Sequence, residues 1–540
     1  MNLELRRRHF LVASAGLALV GAPSGLLAAT TGKGFTHGVA SGEPSAGSIL
    51  LWTRYVSSGD MTTLSVELAA DAGFGRIAAT GEATASEATG HCAKAVLDGL
   101  DPATWYYFRF RAPSGEVSQT GRTRTLPEGG TDPFAMAVFS CSNLPFGYFN
   151  AYAHAAERDD VHLAVHLGDY FYEYPIGTYP SAEQTVAGRT IDPAHEIVTL
   201  DDYHRRCAAY RADRDLQRLH QTLPMVAMWD DHEITNDAWT GGAQNHQPDE
   251  GDWEARKAVA KAAYRHWMPV SDDPYASYDI GDLATLLRVD TRIEGRDEQL
   301  DIAAIAKEAG GFEAGLKRLV EQDYRDPDRT LLGRKQEAWV QAELERSVAA
   351  KKPWQLLGQQ VVMGSALTPA ATTEWIDPAA PAFIRDRVSA ALALSKVGIP
   401  SNLDAWGGYP AARSRLLAGA QAVGANLVVL AGDSHNSWAF DLAEDGAAAG
   451  VEFAVSSVTS PGFEAYFTKT DPGVVASALI GSSPELKWAD TSRRGYGVVR
   501  LSAEAASCDW VYVDTIKTRS RLAQVGKRMA VKPGARTLSF

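Results

Sequence analysis

Short apolar runs that stop abruptly at polar clusters recur along this chain. The first is Phe134–Phe139, closed by Ser140-Cys141-Ser142-Asn143. A helix-like stretch over 147–158 follows, then a second apolar run over 161–167 that stops at Gly168-Asp169-Tyr170-Phe171-Tyr172-Glu173. Runs of this length without polar alternation read as buried strands, and strand, helix, strand is the unit of a parallel sheet. Further runs are expected as strands over 225–228, 283–289, 354–357, 427–430 and 452–456, with helix-like stretches over 333–350 and 386–396. The pattern predicts an α/β domain whose chemistry lies on the loops at the strands' carboxyl ends.

The first quarter of the chain has a different rhythm. Ile49-Leu50-Leu51-Trp52-Thr53, Leu64-Ser65-Val66-Glu67-Leu68 and Trp105-Tyr106-Tyr107-Phe108-Arg109-Phe110 are short strand-like segments separated by turns. They predict an all-β sandwich over 34–127, with Pro127-Glu128-Gly129-Gly130 as linker and the α/β domain over 131–520. Residues 521–540 read as a C-terminal tail.

Composition narrows the partners. A formal charge of -14 over 540 residues disfavours nucleic acid and anionic membranes, and an acidic protein that handles an anionic substrate needs local positive charge, which metal ions can supply. Arg6-Arg7-Arg8-His9-Phe10-Leu11, followed by an apolar run and small residues, predicts a twin-arginine export signal over 1–30, the Tat translocase as partner during export, and a periplasmic or secreted product. No other segment approaches a membrane span, so stable membrane insertion is not expected. The four cysteines, Cys92, Cys141, Cys207 and Cys508, show no zinc spacing, and Cys92 falls in the expected separate β module, away from the others.

The strand-end clusters carry the chemistry. Cys141, Asp169 and Tyr172 would converge at one sheet edge. The run over 225–228 ends in Trp229-Asp230-Asp231-His232-Glu233-Ile234-Thr235-Asn236, and the run over 427–430 ends in Ala431-Gly432-Asp433-Ser434-His435. Carboxylates crowded like this repel one another unless a cation offsets them, so the clusters predict a multinuclear metal site. Thiolate and phenolate ligands suit ferric iron, whereas carboxylates and an amide suit Ca²⁺. Arg292, in Asp290-Thr291-Arg292, fits either a phosphate-binding role or a structural ion pair. The loop 402–410 reads as packed near the pocket.

These strings resemble those of the PhoD-like alkaline phosphatases/phosphodiesterases, a branch of the metallophosphoesterases. The matching pieces include Val39-Ala40-Ser41-Gly42-Glu43-Pro44, Phe139-Ser140-Cys141-Ser142, Gly168-Asp169-Tyr170-Phe171-Tyr172-Glu173, Trp229-Asp230-Asp231-His232-Glu233, Gly432-Asp433-Ser434-His435, Ser457-Val458-Thr459-Ser460-Pro461-Gly462 and Arg494-Gly495-Tyr496. The resemblance implies a four-layer α/β sandwich preceded by a fibronectin type III-like module. It implies one Fe³⁺ with Ca²⁺ ions, two being expected, and hydrolysis of small-molecule phosphate monoesters and diesters at alkaline pH. It implies that Cys141, Asp169 and Tyr172 hold iron and that Asp231, Asn236, Asp433 and His435 complete the metal cluster. The expected chemistry is in-line attack on phosphorus by a hydroxide or oxo ligand, with His232 or His435 protonating the leaving oxygen and Arg292 as an auxiliary group. The usual metallophosphoesterase opening, Asp-x-His on the first strand, is absent, and Cys141 stands in that region. A phospholipase D-like phosphodiesterase with the same site and a non-catalytic exported adhesion protein are the alternatives.

Overall fold

The computed structural model describes residues 32–131, 133–376 and 382–539, so the export signal read over 1–30 lies outside the described residues. Two sheets pack face to face in the larger part of the chain, and their strands show why. Along Phe134–Phe139, Met136 and Val138 enter a core shared with Val165, Val226, Leu286, Leu356 and Val428, while Ala137 and Phe139 enter a second core on the opposite face. In the second sheet, Leu286 and Leu356 point inward, and Leu287 and Leu357 point to an outer core. A strand buried on both faces has no polar side, hence the unbroken apolar runs. Helices Leu200–Arg211, Arg214–Thr222 and Trp253–Trp267 contribute to the outer core of the first sheet, and Gly333–Ala349 and Pro410–Ala422 to that of the second. The result is a four-layer α/β sandwich, as expected.

The first sheet has nine strands in the order Ala523–Val531, Ala506–Val513, Gly495–Leu501, Phe134–Phe139, Leu163–His166, Met225–Ala227, Gly34–Gly42, Ser48–Val56, Cys92–Asp98. The second has seven: Ala276–Ile280, Ala284–Arg288, Trp354–Gly358, Leu427–Ala431, Ala447–Ala454, Ser437–Glu444, Leu486–Asp490. In register, Phe139 and Ala227 both lie beside His166, and Gly358 lies between Arg288 and Leu430. The parallel strands therefore stop level with one another, and their next residues share one edge.

The N-terminal segment is all-β. Ile77–Ser86, Met61–Ala69, Trp105–Arg111 and Gly121–Arg124 form a four-stranded sheet with its own core, in which Tyr106, Phe108 and Phe110 alternate inward along their strand. Its boundary is less clean than a linker suggests. Gly42 pairs in parallel with Met225, and the N–H of Glu43 donates to Met225 O at 3.1 Å, so three N-terminal strands continue the first sheet. Only glycine fits there, because a Cβ at Gly42 would lie 2.0 Å from Pro269 O. Cys92 accordingly lies in the outer core of the large domain together with Cys207, not in a separate module, and all four cysteines are free and buried.

Two further elements differ from expectation. The run over 452–456 is the end of a hairpin, Ser437–Glu444 with Ala447–Ala454, turned at Asp445-Gly446 with φ of 48° and 73°. Both central residues with positive φ match the twist of a two-residue hairpin, so Asp-Gly was a usable signal. The tail beyond 520 supplies the edge strand Ala523–Val531, pairing Cys508 with Met529. Among the described residues, no helix is long and apolar enough to cross a membrane.

Candidate metal centre

The shared edge brings together what the chain holds far apart. Ligand atoms of Cys141, Asp169 and His435 lie within 4.8 Å of one another, as do those of Asp169, Asp231 and His232, and those of Asp230, Asp231 and Asp433. Because Asp169 and Asp231 are each shared between groups, the three form one continuous cluster. Asp231 belongs to two groups and Asp230 to one.

The loops that carry these side chains are bound to each other before any ligand is considered. Cys141 N donates to Gly168 O at 3.1 Å, and Ser142 N to Asp169 O at 2.8 Å. The Glu233 carboxylate accepts the N–H groups of Asp169, Tyr170 and Asp230 at 3.1, 2.6 and 2.8 Å, tying two loops together. Gln360 does the same in the other sheet: its Oε1 accepts from Thr291 and its Nε2 donates to Trp229 O and Val289 O. This scaffold holds Cys141, Asp169, Asp433 and His435 with φ of 60°, 55°, 58° and 61°, the left-handed region that non-glycine residues rarely occupy. Such backbone persists where its surroundings over-determine it. The glycines before the aspartates, of which Gly168 also has a positive φ of 103°, have a further task. A Cβ at Gly168 would meet Asp230 Cβ at 2.5 Å, and one at Gly432 would meet Ser140 Oγ at 2.1 Å, so each lets two loops touch.

Each donor is oriented by a neighbour. Tyr172 OH donates to Asp169 Oδ2 at 3.0 Å and lies 2.8 Å from Ser460 Oγ and 3.3 Å from His435 Nε2. His435 Nδ1 is 2.9 Å from Pro461 O; a carbonyl can only accept, so Nδ1 carries the proton and Nε2 keeps its lone pair. Desolvation in the crevice lowers His435 to about 3, which keeps it neutral. His232 Nδ1 is 2.7 Å from Glu173 Oε2, leaving Nε2 for the cluster. Burial opposes a charge on His232, yet Asp231, Glu173 and Asp169 together raise it well above the ordinary histidine range.

Several buried carboxylate oxygens here lack a hydrogen-bond partner among the described residues: Asp169 Oδ1, Asp230 Oδ2 and Asp231 Oδ1. Burial, reinforced by Asp169, pushes the Cys141 thiol and the Tyr172 phenol well above their usual values. Burial likewise pushes Asp169 up, and Asp230 up to about 8 despite Arg292. A set of thiol, phenol, imidazole and carboxylates that cannot all ionise unaided fits multivalent cations, which reverse this balance. The residues present therefore fit metal ions.

Arg292 requires a correction. Its guanidinium is buried and spent on carboxylates: Nε on Asp230, Nη1 on Asp404 at 2.6 Å, Nη2 on Asp433 at 3.1 Å and 3.6 Å from Asp231. Of its two expected roles, the ion pair is the one the structure contains. Asn236 sits at the rim, its Nδ2 donating to Gln244 Oε1 at 2.9 Å and its N–H to Glu173 Oε1 at 2.8 Å. Sequence reasoning passed over Glu173, Glu233, Ser460 and Asp404. Glu173 and Glu233 stood inside quoted motifs, and Asp404 in the loop read as near the pocket, but nothing local distinguishes a carboxylate that orients a ligand from one that is a ligand.

Known proteins resemble this chain along most of its length. The chain is 34% identical over 457 residues to alkaline phosphatase D of Bacillus subtilis (strain 168), covering 79% of this chain and 70% of that protein. The solved structure of PhoD superimposes with a TM-score of 0.76 at 28% identity, covering 94% of this chain and 92% of that one. Residues 21–127 match the PhoD-like phosphatase N-terminal domain, and residues 136–510, which carry every member of the cluster, match the PhoD-like phosphatase family. This chain therefore belongs to the PhoD-like phosphatase family.

Proposed function

We propose that the protein is an exported, metal-dependent alkaline phosphatase and phosphodiesterase acting on small-molecule phosphate esters. The observation that carries this reading is the set of three buried carboxylate oxygens without a hydrogen-bond partner among the described residues, on Asp169, Asp230 and Asp231 at one strand-end edge. Cys141, Asp169 and Tyr172 would hold a ferric ion, and Asp231, Asn236, Asp433 and His435 would complete the metal cluster; carboxylates and an amide suit calcium, whereas the His435 imidazole groups with Cys141 and Asp169. When bound, the ions supply Lewis-acid neutralisation of phosphoryl oxygens and a nucleophile at moderate pH.

The chain's own residues do the rest. Glu173 fixes His232 so that Nε2 faces the cluster, where it can give a proton to the leaving oxygen. Ser460 and Pro461 set the orientations of Tyr172 and His435. Arg292 lowers the net charge of the carboxylates, so that an anionic ester is not repelled. Export by the twin-arginine route, which the Arg7-Arg8 pattern with Phe10-Leu11 supports, places the activity in the periplasm or outside the cell.

The test is hydrolysis of p-nitrophenyl phosphate and bis-p-nitrophenyl phosphate by protein whose metals are counted by mass spectrometry. Iron with calcium, and phosphate release lost on chelation, are expected. A metal-loaded protein inactive on both substrates would return the reading to a binding protein.

A further inference from the structure

The chain leaves the metal centre after Asn236 and returns to it at Gln244. Between them, Ala238–Trp239 pairs with Gly242–Ala243 as a short hairpin, Ala238 opposite Ala243 and Trp239 opposite Gly242. The turn is tight, since a Cβ at Gly241 would lie 2.5 Å from the Trp239 ring. Its tip is fastened to the large domain: Thr240 N donates to Arg296 O at 3.3 Å, and Thr240 O accepts from Trp253 Nε1 at 3.1 Å and Lys257 Nζ at 2.8 Å. Its return end is fastened behind the centre. Asn245 N donates to Asn236 O at 3.2 Å, and Asn245 Nδ2 donates to Glu173 Oε1 at 2.9 Å and to Glu196 Oε1 at 3.1 Å. Asn245 O accepts from Thr235 Oγ1 at 2.7 Å and from Arg256 Nη1 at 3.0 Å.

Gln244 is held between these anchors, and its side chain reaches back to the start of the excursion: Asn236 Nδ2 donates to Gln244 Oε1 at 2.9 Å. The Asn236 main chain is already lodged against the centre. Its N–H donates to Glu173 Oε1 at 2.8 Å, and the next N–H, of Asp237, donates to Asp231 Oδ2 at 2.7 Å. What the main chain does not decide is which end of the Asn236 amide meets an ion. An amide carries a donor NH2 and an acceptor oxygen, and only the oxygen binds a hard cation. Holding the nitrogen on Gln244 turns the oxygen away from Gln244, the orientation in which it can reach a cation shared with Asp231. A side chain that positions another works only if its own placement is set, and the two fastened ends of the hairpin set that of Gln244.

We infer that Gln244 is a positioning residue of the metal centre: it holds the Asn236 amide with its oxygen toward the cluster and so raises the affinity for calcium. The inference rests on the reading of Asn236 as a metal ligand and adds a residue to that same site. Gln244 acts through Asn236, so its effect on affinity vanishes where the Asn236 side chain is absent.

The test is calcium affinity, read as the rise in melting temperature of the full-length protein after calcium is stripped with EGTA and titrated back alone. Gln244→Leu introduces no charge and is expected to weaken calcium binding about ten-fold, the lower end for a residue that orients a ligand, while the rate at saturating calcium falls less. Gln244→Glu can only accept a hydrogen bond, so it should bind calcium at least as tightly as the wild type. Asn236→Ala keeps the carboxylates, so calcium binding remains measurable; in that background Gln244→Leu should have no further effect, because the group it orients is gone. Three results would overturn the inference while leaving the phosphoesterase reading intact: unchanged affinity in Gln244→Leu, equal loss in Gln244→Leu and Gln244→Glu, or a leucine effect as large in Asn236→Ala as in its parent. A wild type whose melting temperature and activity both ignore calcium would instead defeat the calcium part of that reading, and the inference with it.

Discussion

The two ends of the acidic cluster are built from the same residue type and solve opposite problems. At one end, Asp230, Asp433 and Asp404 converge on the buried guanidinium of Arg292, so their charge is met in part by the chain itself, although Asp230 Oδ2 has no hydrogen-bond partner among the described residues. At the other, Asp169 and Asp231 share a space with His232, Cys141, Tyr172 and His435, and two of their buried oxygens have no hydrogen-bond partner among the described residues, Asp231 Oδ1 lying 3.6 Å from Arg292 Nη2. The first end has an internal cation that folds with the protein; the second has none of its own at Asp169 and depends more heavily on cations that arrive. A buried charge without a partner costs several kcal/mol, so the second end is where stability has been given up for binding. The division also follows the two sheets. The unmet donors Cys141, Asp169 and Asp231 come from the first sheet, and Arg292 comes from the second, so packing the sheets face to face is what brings the internal cation to the carboxylates.

The largest effect separates the ends outright. Asp169→Asn removes a carboxylate shared by two groups of the cluster, and activity on p-nitrophenyl phosphate should fall at least about a thousandfold, beyond the roughly 10–100-fold typical of a residue that only orients a ligand. Yet the chelator-treated variant should melt at or above the temperature of chelator-treated wild type, because an unmet buried charge has gone. A variant that keeps activity would remove Asp169 from the centre.

Arg292→Met should do the reverse. It strands the carboxylates of Asp230 and Asp433 and leaves Asp404 to Arg296 alone, and breaking a buried pair costs about 3–5 kcal/mol, read as a drop in thermal or urea stability. That drop should be larger in the chelated protein, since cations can substitute in part for the lost guanidinium. If Asp169→Asn and Arg292→Met shifted the chelated protein's stability in the same direction, the contrast between the ends would fail.

Glu173→Gln sharpens the comparison within the open end. The carboxylate accepts from His232 and from the main-chain N–H of Asn236, so it stands one layer behind residues proposed to face the ions. Metal affinity should weaken about 10–100-fold while the metal-saturated rate falls less. Titration of chelated protein with calcium and iron, followed by activity, gives both quantities.

How much of this was legible depended on how local the signal was. Strand-end clusters after unbroken apolar runs identified the open end, because the residues that need a cation and the strands that present them are adjacent in sequence: Asp169 follows its strand by three positions and Asp433 by two. The closed end was not legible. Arg292 and Asp404 lie 112 positions apart, and nothing in either neighbourhood says that they meet. The same limit hid the junction at Gly42, where a single glycine fuses two expected domains into one sheet, and the edge strand Ala523–Val531, whose partner is fixed only by the folded sheet. The left-handed backbone at Cys141, Asp169, Asp433 and His435 also has no sequence mark, since the residue type there is chosen for its side chain.

The smallest expected effect carries the comparison outside the centre, to histidines in opposite fields. His232 is surrounded by carboxylates and raised. His220, whose Nε2 lies 2.8 Å from Tyr170 OH, is lowered well below 6.5 by burial first and then by Arg211 and His166. In the folded protein His220 stays neutral where the unfolded chain takes a proton. Below about pH 6.5 the unfolded state binds more protons, so His220 makes stability fall as pH falls, by up to about 1.4 kcal/mol per pH unit. Above that pH both states are neutral and the contribution vanishes. His220→Gln retains a group able to bond Tyr170 and cannot titrate, so urea unfolding measured from pH 6.5 down to 5 should show a shallower loss of stability than in wild type. Equal slopes would mean that His220 is protonated in the fold, which would require a buried anion beside Arg211 and place the contrast between met and unmet charge elsewhere.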